Sequence, residues 1–258
     1  MNRKVKNLIA QILFILVVIA GWQYIYSAEI KPPLIFPSVQ MIGKGFIVAF
    51  TEKGLGDMVL HSLSLLLIGL VLGIVFAMIF SSLSVISETF YAIYNMIVSM
   101  FDLIPGIALM PIAIAWAGIG DAAIIFMVIH SVIWPMSRSV IDGFNAVPKL
   151  YLEVGQNIGL KGAKLVTGVF LPAALPRIFS GIKTGWARAW RGLIAAEMVF
   201  GGGAKQGIGA YILDRRTQYD NAGVFSTIIV IILIGVIVEY GIFRTIENNT
   251  FKKWGMTR

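Results

Sequence analysis

Apolar residues fall along this chain in long runs separated by short polar segments. The runs cover Leu8 to about Tyr26, Met58 to Phe80, Asp121 to Phe144, Pro176 to Phe200 and Ala222 to Ile246. Each approaches or exceeds the roughly 18 to 20 residues that cross a bilayer core as a helix. A further run starts near Thr89 and is interrupted within "DLIPGIALMPIAIAWAGIG", where Pro105 and Pro111 remove backbone donors. Broken backbone at membrane depth is tolerated only when it is buried in protein or lines a cavity. The alternating segments of about ten residues that build a membrane β-barrel are not seen. The pattern predicts an all-α polytopic membrane protein, a single transmembrane domain over residues 1–258 with about six transmembrane helices.

The first run, residues 8–26, follows the basic start MNRKVKN, as the core of a signal peptide would. Its 19 residues exceed the roughly 7 to 15 usual for such a core, so it reads as a retained first span. Residues 27–57 are a mixed stretch whose prolines and glycines argue against another span, and they form an extracytoplasmic segment. Glycine pairs four residues apart, Gly69/Gly73 and Gly181/Gly185, allow helices to approach closely.

Composition agrees with this reading. The chain is 58% hydrophobic and 13% charged, with a mean hydropathy of +0.85, whereas a soluble domain carries about a quarter charged residues. With no cysteine, disulfides, thiolate metal sites and cysteine nucleophiles are excluded, and no metal site is expected. The net charge of +8 is a matter of membrane topology rather than of nucleic-acid binding. Of the 21 lysines and arginines, 13 lie in the N-terminal tail, the segment 138–183 and the C-terminal tail. Six spans put both termini on one side, and the basic bias places that side in the cytoplasm of a bacterial or archaeal cell.

One cytoplasmic segment, residues 148–172, is polar in an otherwise apolar chain. Pro148 suits a first helical turn, Glu153 falls near that start, where a carboxylate favours the helix dipole, and Gly159 is a natural stop. A second short helix is expected from about Lys161 to a break at Leu171-Pro172. A plain amphipathic loop resting on headgroups would have the same composition.

The spacing here carries a resemblance. Glu153-Val154-Gly155, three residues, Gly159, nine residues, Val169, one residue, Leu171-Pro172 resembles the EAA loop of ABC-importer permeases. "LIFPS", "IPGIALMPIAIAWAGIG", "LPAALPRIFSGIKTGWARAWRGLIAAEM" and "GIGAYI" are similar to the branch for nitrate, sulfonate, taurine and bicarbonate, which includes pyrimidine-precursor importers. The resemblance implies a type I (MetI-like) importer permease fold, with two permease copies, a homodimer, around a central path. It implies two ABC ATPase subunits as partners, an extracytoplasmic solute-binding protein, and a small organic or inorganic solute of the kinds that branch carries. Residues Glu153, Gly155, Gly159, Leu160, Lys161, Leu171 and Pro172 would then couple to the ATPase. Two positions depart from the branch: Leu65 and Asp102 stand where it often carries arginine.

An ATP-driven transporter needs a phosphate cradle, and no G-x-x-x-x-G-K-[S/T] occurs here. "GLKGAK" and "GGGAKQG" have the wrong spacing, and glycines 201–203 are expected to form an extracytoplasmic turn. ATP and magnesium therefore belong to a separate ATPase, and this chain is expected to carry no cofactor and no catalysis of its own.

Ionisable groups inside a membrane are costly, and each is a candidate functional group. Arg188, Arg191 and Glu197 share the fifth span, and Asp102 lies at the broken helix, placed to pair with Arg191. With Pro105 and Trp116 these are candidates for the translocation path or a gate, an ion-pair brace being the alternative. Glu239 reads as a brace. The tryptophans fit interfacial belts, Trp116 excepted if it lines the path. His130 and Ser131 do not form a hydrolase pair, because adjacent helical residues point about 100° apart. An ion-coupled secondary transporter, built on discontinuous helices with coupling carboxylates, is the alternative reading.

Overall fold

The computed structural model describes residues 3–200 and 206–252, and among these every regular element is helical. Five helices are long and apolar enough to cross a bilayer: α1 (Arg3–Ser27), α3 (Leu55–Ile86), α6 (Asp121–Asn145), α8 (Ala163–Phe200) and α10 (Asn221–Phe251). Between them lie α2 (Val39–Thr51), α4 (Glu88–Phe101), α5 (Met110–Ala117), α7 (Lys149–Asn157) and α9 (Ile208–Thr217).

The core is a sandwich of α3, α6 and α8, and glycine makes it tight. A Cβ on Gly69 would overlap Val128, one on Gly73 would lie 2.8 Å from Val132 Cβ, and one on Gly181 would lie 2.7 Å from Ser139 Cβ. Lipid tails are as apolar as leucine, so close contact between small residues holds such helices together where hydrophobic burial contributes little.

The same contacts set direction. Gly69 faces Val128, Gly73 faces Val132, and Ser81 Oγ points at the Ser137 carbonyl, so α3 and α6 run parallel. His61 and Asp121, near the two helix starts, meet at 3.3 Å. The segment joining them must therefore recross the bundle. That segment is α4 and α5, bent by 95° around a break, and the bent pair counts as the sixth crossing. Gly143 against Ala174 and Gly192 against Ser131 make α6 and α8 antiparallel. Phe179 against Phe251 and Trp186 against Phe243 do the same for α8 and α10. The starts of α1 and α7 and the end of α10 thus share one face of the bundle.

Helix α1 is apolar on every side and exposed along most of its length, as expected of a lipid-facing span. Only its end is anchored: Trp22 stacks on Phe36 at 3.9 Å and donates Nε1–H to the Pro37 carbonyl at 2.9 Å.

Three sequence expectations change. Residues 27–57 hold no further span, as expected, but they do hold helix α2, which Ser38 caps by accepting the Met41 N–H at 3.1 Å. No break occurs at Leu171-Pro172, because α8 runs from Ala163 through a π-helical turn at Val166–Phe170. In that wide turn the Leu171 N–H reaches back five residues to the Val166 carbonyl. This re-phasing relieves the clash of the Pro172 ring with the preceding turn, so the helix continues. Glu153, finally, sits in the second turn of α7, beyond the first turn where the helix dipole is felt. The glycine turn expected at 201–203 and the Trp254 belt position lie outside the described residues.

Candidate functional site

The break between α4 and α5 opens a cavity of about 460 Å³ walled by α6 and α8. Pro105 begins a short 3₁₀ turn, Gly106–Leu109, and the bend turns the end of α4 toward the other two helices. Asp102, the C-cap of α4, lines the space with Arg188, Arg191, His130 and Trp134. Its carboxylate accepts a hydrogen bond from Arg188 Nη1 at 2.6 Å and from Arg138 Nε at 3.3 Å.

The expected pairing of Asp102 with Arg191 is therefore corrected to Arg188 and Arg138. The helical repeat explains it: on α8 the two arginines stand three residues apart, and the nearer direction to the α4 end belongs to Arg188. Arg191 lines the same cavity but turns its Nε–H to the Ala187 carbonyl one turn back, at 3.0 Å.

Two other candidates lie elsewhere. Glu197 is 3% exposed and accepts hydrogen bonds from Ser62 Oγ at 2.6 Å and from the Gly209 N–H at 2.8 Å. Ser62 Oγ in turn accepts the Ile208 N–H at 3.0 Å. Glu197 thus ties α3, α8 and the start of α9 together and does not reach the cavity. Gly207 and Gly209 leave the room it needs, since a Cβ on either would overlap this junction. Trp116 points away from the cavity and is exposed, with its ring edge-on to Phe126.

The tryptophan belt is likewise only partial. Trp186 and Trp190 are buried in the core, and Trp134 lines the cavity. Glu239 braces α10 to α8 through Lys183 at 2.9 Å. Sequence reasoning missed Arg138, His130 and Trp134. The signal was their spacing: residues 130, 134 and 138 put three polar groups on one face of an apolar helix.

The second region is α7, on the bundle face shared with the start of α1 and the end of α10. Gly159, with φ of +84°, ends it in a left-handed turn. The Leu160 N–H bonds the Gly155 carbonyl at 3.0 Å and the Gly159 N–H bonds Gln156 at 2.9 Å, a complete Schellman cap. Gly155 is buried, and a Cβ there would lie 2.9 Å from Val169 and 3.0 Å from Leu165. The spacing Gly155 to Val169 is thus a packing contact between α7 and α8.

Beside it, Leu150, Tyr151, Val154 and Ile158 line a groove of about 600 Å³ that Pro172 and Ala173 close from α8. All four are more than half exposed, Ile158 reaching 72%. Glu153 and Lys161 are exposed as well, Leu160 is partly buried against Gly155 and Gly168, and Leu171 is partly buried in α8.

Known proteins are similar to this chain over most of its length. Residues 69–248 match the family of binding-protein-dependent transport system inner membrane components. The chain is 24% identical over 231 residues to the taurine transport system permease protein TauC of Escherichia coli (strain K12), covering 88% of this chain and 83% of that one. It is 30% identical over 191 residues to the nitrate import permease protein NrtB of Synechocystis sp. (strain PCC 6803), covering 72% and 66%. To the putative aliphatic sulfonates transport permease protein SsuC of Bacillus subtilis (strain 168) it is 26% identical over 240 residues, covering 92% and 84%. A bundle of apolar spans with a broken helix at its centre and a family match over most of its length have one reading: the chain belongs to the inner-membrane permease components of binding-protein-dependent ABC importers, in the branch that holds the taurine, nitrate and sulfonate permeases.

Proposed function

We propose that this permease couples solute passage to ATP hydrolysis on a separate chain, with α7 as the docking helix. The observation that carries the reading is the exposed apolar edge of α7, held rigid by a Schellman cap and by Gly155 against α8. A short helix fastened at both ends transmits a rigid-body displacement that a loose loop would absorb. Two ATPase subunits closing on ATP and magnesium would draw two such helices together and rock the spans of a permease homodimer. A solute-binding protein would deliver cargo at the opposite face, and the basic residues near α7 would hold that face and both termini in the cytoplasm.

The translocation path in this reading runs past the cavity at the helix break, lined by Asp102, Pro105, Arg188 and Arg191. The solute is a small one of the sulfonate, nitrate, taurine or pyrimidine-precursor type. The geometry at Asp102 speaks against a secondary transporter, since two arginines already occupy the carboxylate that a coupling cation would need.

The test is co-expression with a candidate ABC ATPase from the same organism. Glu153→Lys and Ile158→Asp should abolish co-purification, whereas the wild-type pair should show solute-stimulated ATP hydrolysis in nanodiscs. Full assembly of both variants, or transport by this chain alone under an ion gradient, would sink the reading.

A further inference from the structure

Among the described residues, the most exposed of the large apolar side chains does not lie at either end of the bundle. It is Leu103, 82% exposed, on the bend that joins α4 to α5. It lines the cavity together with Ile107, Asp102, Arg188 and Arg191. The bend lies well inside the membrane. Arg188, which holds Asp102, stands roughly 18 Å along the α8 axis from its end at Phe200.

Two features exclude lipid from this face. The Arg138 and Arg188 side chains are 46% and 42% exposed, and guanidinium groups so open to acyl chains are too costly to keep. The backbone from Leu103 to Pro105 is irregular, and irregular backbone at membrane depth survives only inside protein or beside water. Polar positions continue along the same helix faces. Asp142 and Asn145 follow Arg138 on α6, and Thr184 and Ser180 precede Arg188 on α8, all of them exposed.

Water would accommodate this polar strip, but not Leu103. A leucine left in water forgoes the stabilisation of burial, and no described residue covers this one. The same holds in part for Ile107, 47% exposed on the 3₁₀ turn that follows. Both need an apolar cover on a face that lipid cannot reach. A second copy supplies one, because a two-fold axis brings the same residue to both of its sides.

We propose that Leu103 and Ile107 meet the same residues of a second copy across a two-fold axis and close the path with an apolar seal. This rests on the reading of the chain as a permease that works in pairs, and it names the element that keeps the path shut at rest. A constriction without hydrogen-bonding groups excludes water and ions by dewetting. The guanidinium and carboxylate groups beside it would otherwise hold a continuous thread of water.

The chain has no cysteine, so a single introduced thiol is unique. Leu103→Cys is placed in the full-length chain and co-purified with the ATPase into lipid nanodiscs without nucleotide. Mild oxidation with copper phenanthroline should link two permease chains through it. Leu16→Cys, on lipid-facing α1, should stay unlinked. In proteoliposomes without ATP, Leu103→Ser combined with Ile107→Ser should let chloride run down its gradient, read by a chloride-quenched dye. Wild type and Leu103→Met should hold that gradient.

A complex with only one copy of this chain overturns the seal, as does a Leu103→Cys chain that links no more than Leu16→Cys. So does a doubly substituted chain as tight to chloride as wild type. If the double variant fails to fold, the disulfide decides. Co-purification of the ATPase is scored separately. If it fails, the docking helix falls and the linkage is read on the chain alone in nanodiscs. Unlinked chains within an assembled complex remove the seal and leave the docking helix standing.

Discussion

The break at α4–α5 and the helix α7 are both polar interruptions in an apolar chain, yet they treat their side chains in opposite ways. At the break, the carboxylate faces inward and is matched: Asp102 holds Arg188 at 2.6 Å and Arg138 at 3.3 Å. On α7 and the turn after it, Glu153 and Lys161 are exposed, and an apolar row from Leu150 to Ile158 faces outward with no partner among the described residues. In hydrocarbon an unmatched charge is expensive, so the chain supplies the match itself. On an aqueous face no such cost applies to charges, and in the proposed reading the apolar row is where the ATPase would sit. The position of the unsatisfied groups therefore separates what the chain holds together from what it offers to others.

That contrast can be broken most forcefully at Glu197, which belongs wholly to the internal kind. Glu197→Ala strands Ser62 Oγ and the Gly209 N–H, and should lower stability by about 2–4 kcal/mol. Thermal unfolding in detergent checks it; a variant that keeps its unfolding midpoint and loses only transport would return Glu197 to the path. Glu197→Gln should recover part of the loss, since its carbonyl still accepts one bond.

Next in size is packing. Gly69→Leu overfills the α3–α6 contact at Val128 and should cost roughly 1–3 kcal/mol, read in the same unfolding assay. Equal stability to wild type would mean that α3 and α6 are held by something other than close approach.

Asp102→Ala tests the matched charges. Arg188 and Arg138 remain partly open to solvent, so the loss is expected to be no more than about 1 kcal/mol. The larger change should appear in uptake by reconstituted transporter. A drop in stability as large as that for Glu197→Ala would show that the triad is a brace and not a feature of the path.

The smallest effect on folding is expected at α7. Val154→Asp and Ile158→Asp touch only exposed positions and should stay within about 0.5 kcal/mol of wild type. ATPase co-purification should nevertheless fall by tenfold or more, as for an apolar anchor at an interface. If stability falls and assembly does not, the row is part of this chain's own core and the comparison with the break collapses.

Much of the architecture was legible in order along the chain. The span at Asp121 ends within one residue of expectation, and the prolines of "DLIPGIALMP" announce the break. The EAA-like spacing also had a local cause, since Gly155 and Val169 touch. The cavity was less legible. Asp102, Arg188 and Arg191 stand out as charges in apolar runs, but Arg138 lies in a segment read as cytoplasmic, and Trp134 reads as an interfacial residue. Nothing local distinguishes a tryptophan at a headgroup from one beside a cavity.

The number of apolar crossings, the place of the break and the turn at Gly159 follow from the order of residues alone. Length, proline chemistry and left-handed backbone are local matters that a single segment decides. Partners came from the packing of distant helices: Asp102 meets Arg188 and Arg138, Glu197 caps α9, and Pro172 lies in an unbroken helix. Pairing depends on the rotation and offset of helices far apart in sequence, which the close glycine contacts of α3, α6 and α8 set. Arg188 and Arg191 stand three residues apart on α8, about 60° in direction and about 4.5 Å along the axis, so a small rotation and offset of that helix decides which of them meets the carboxylate.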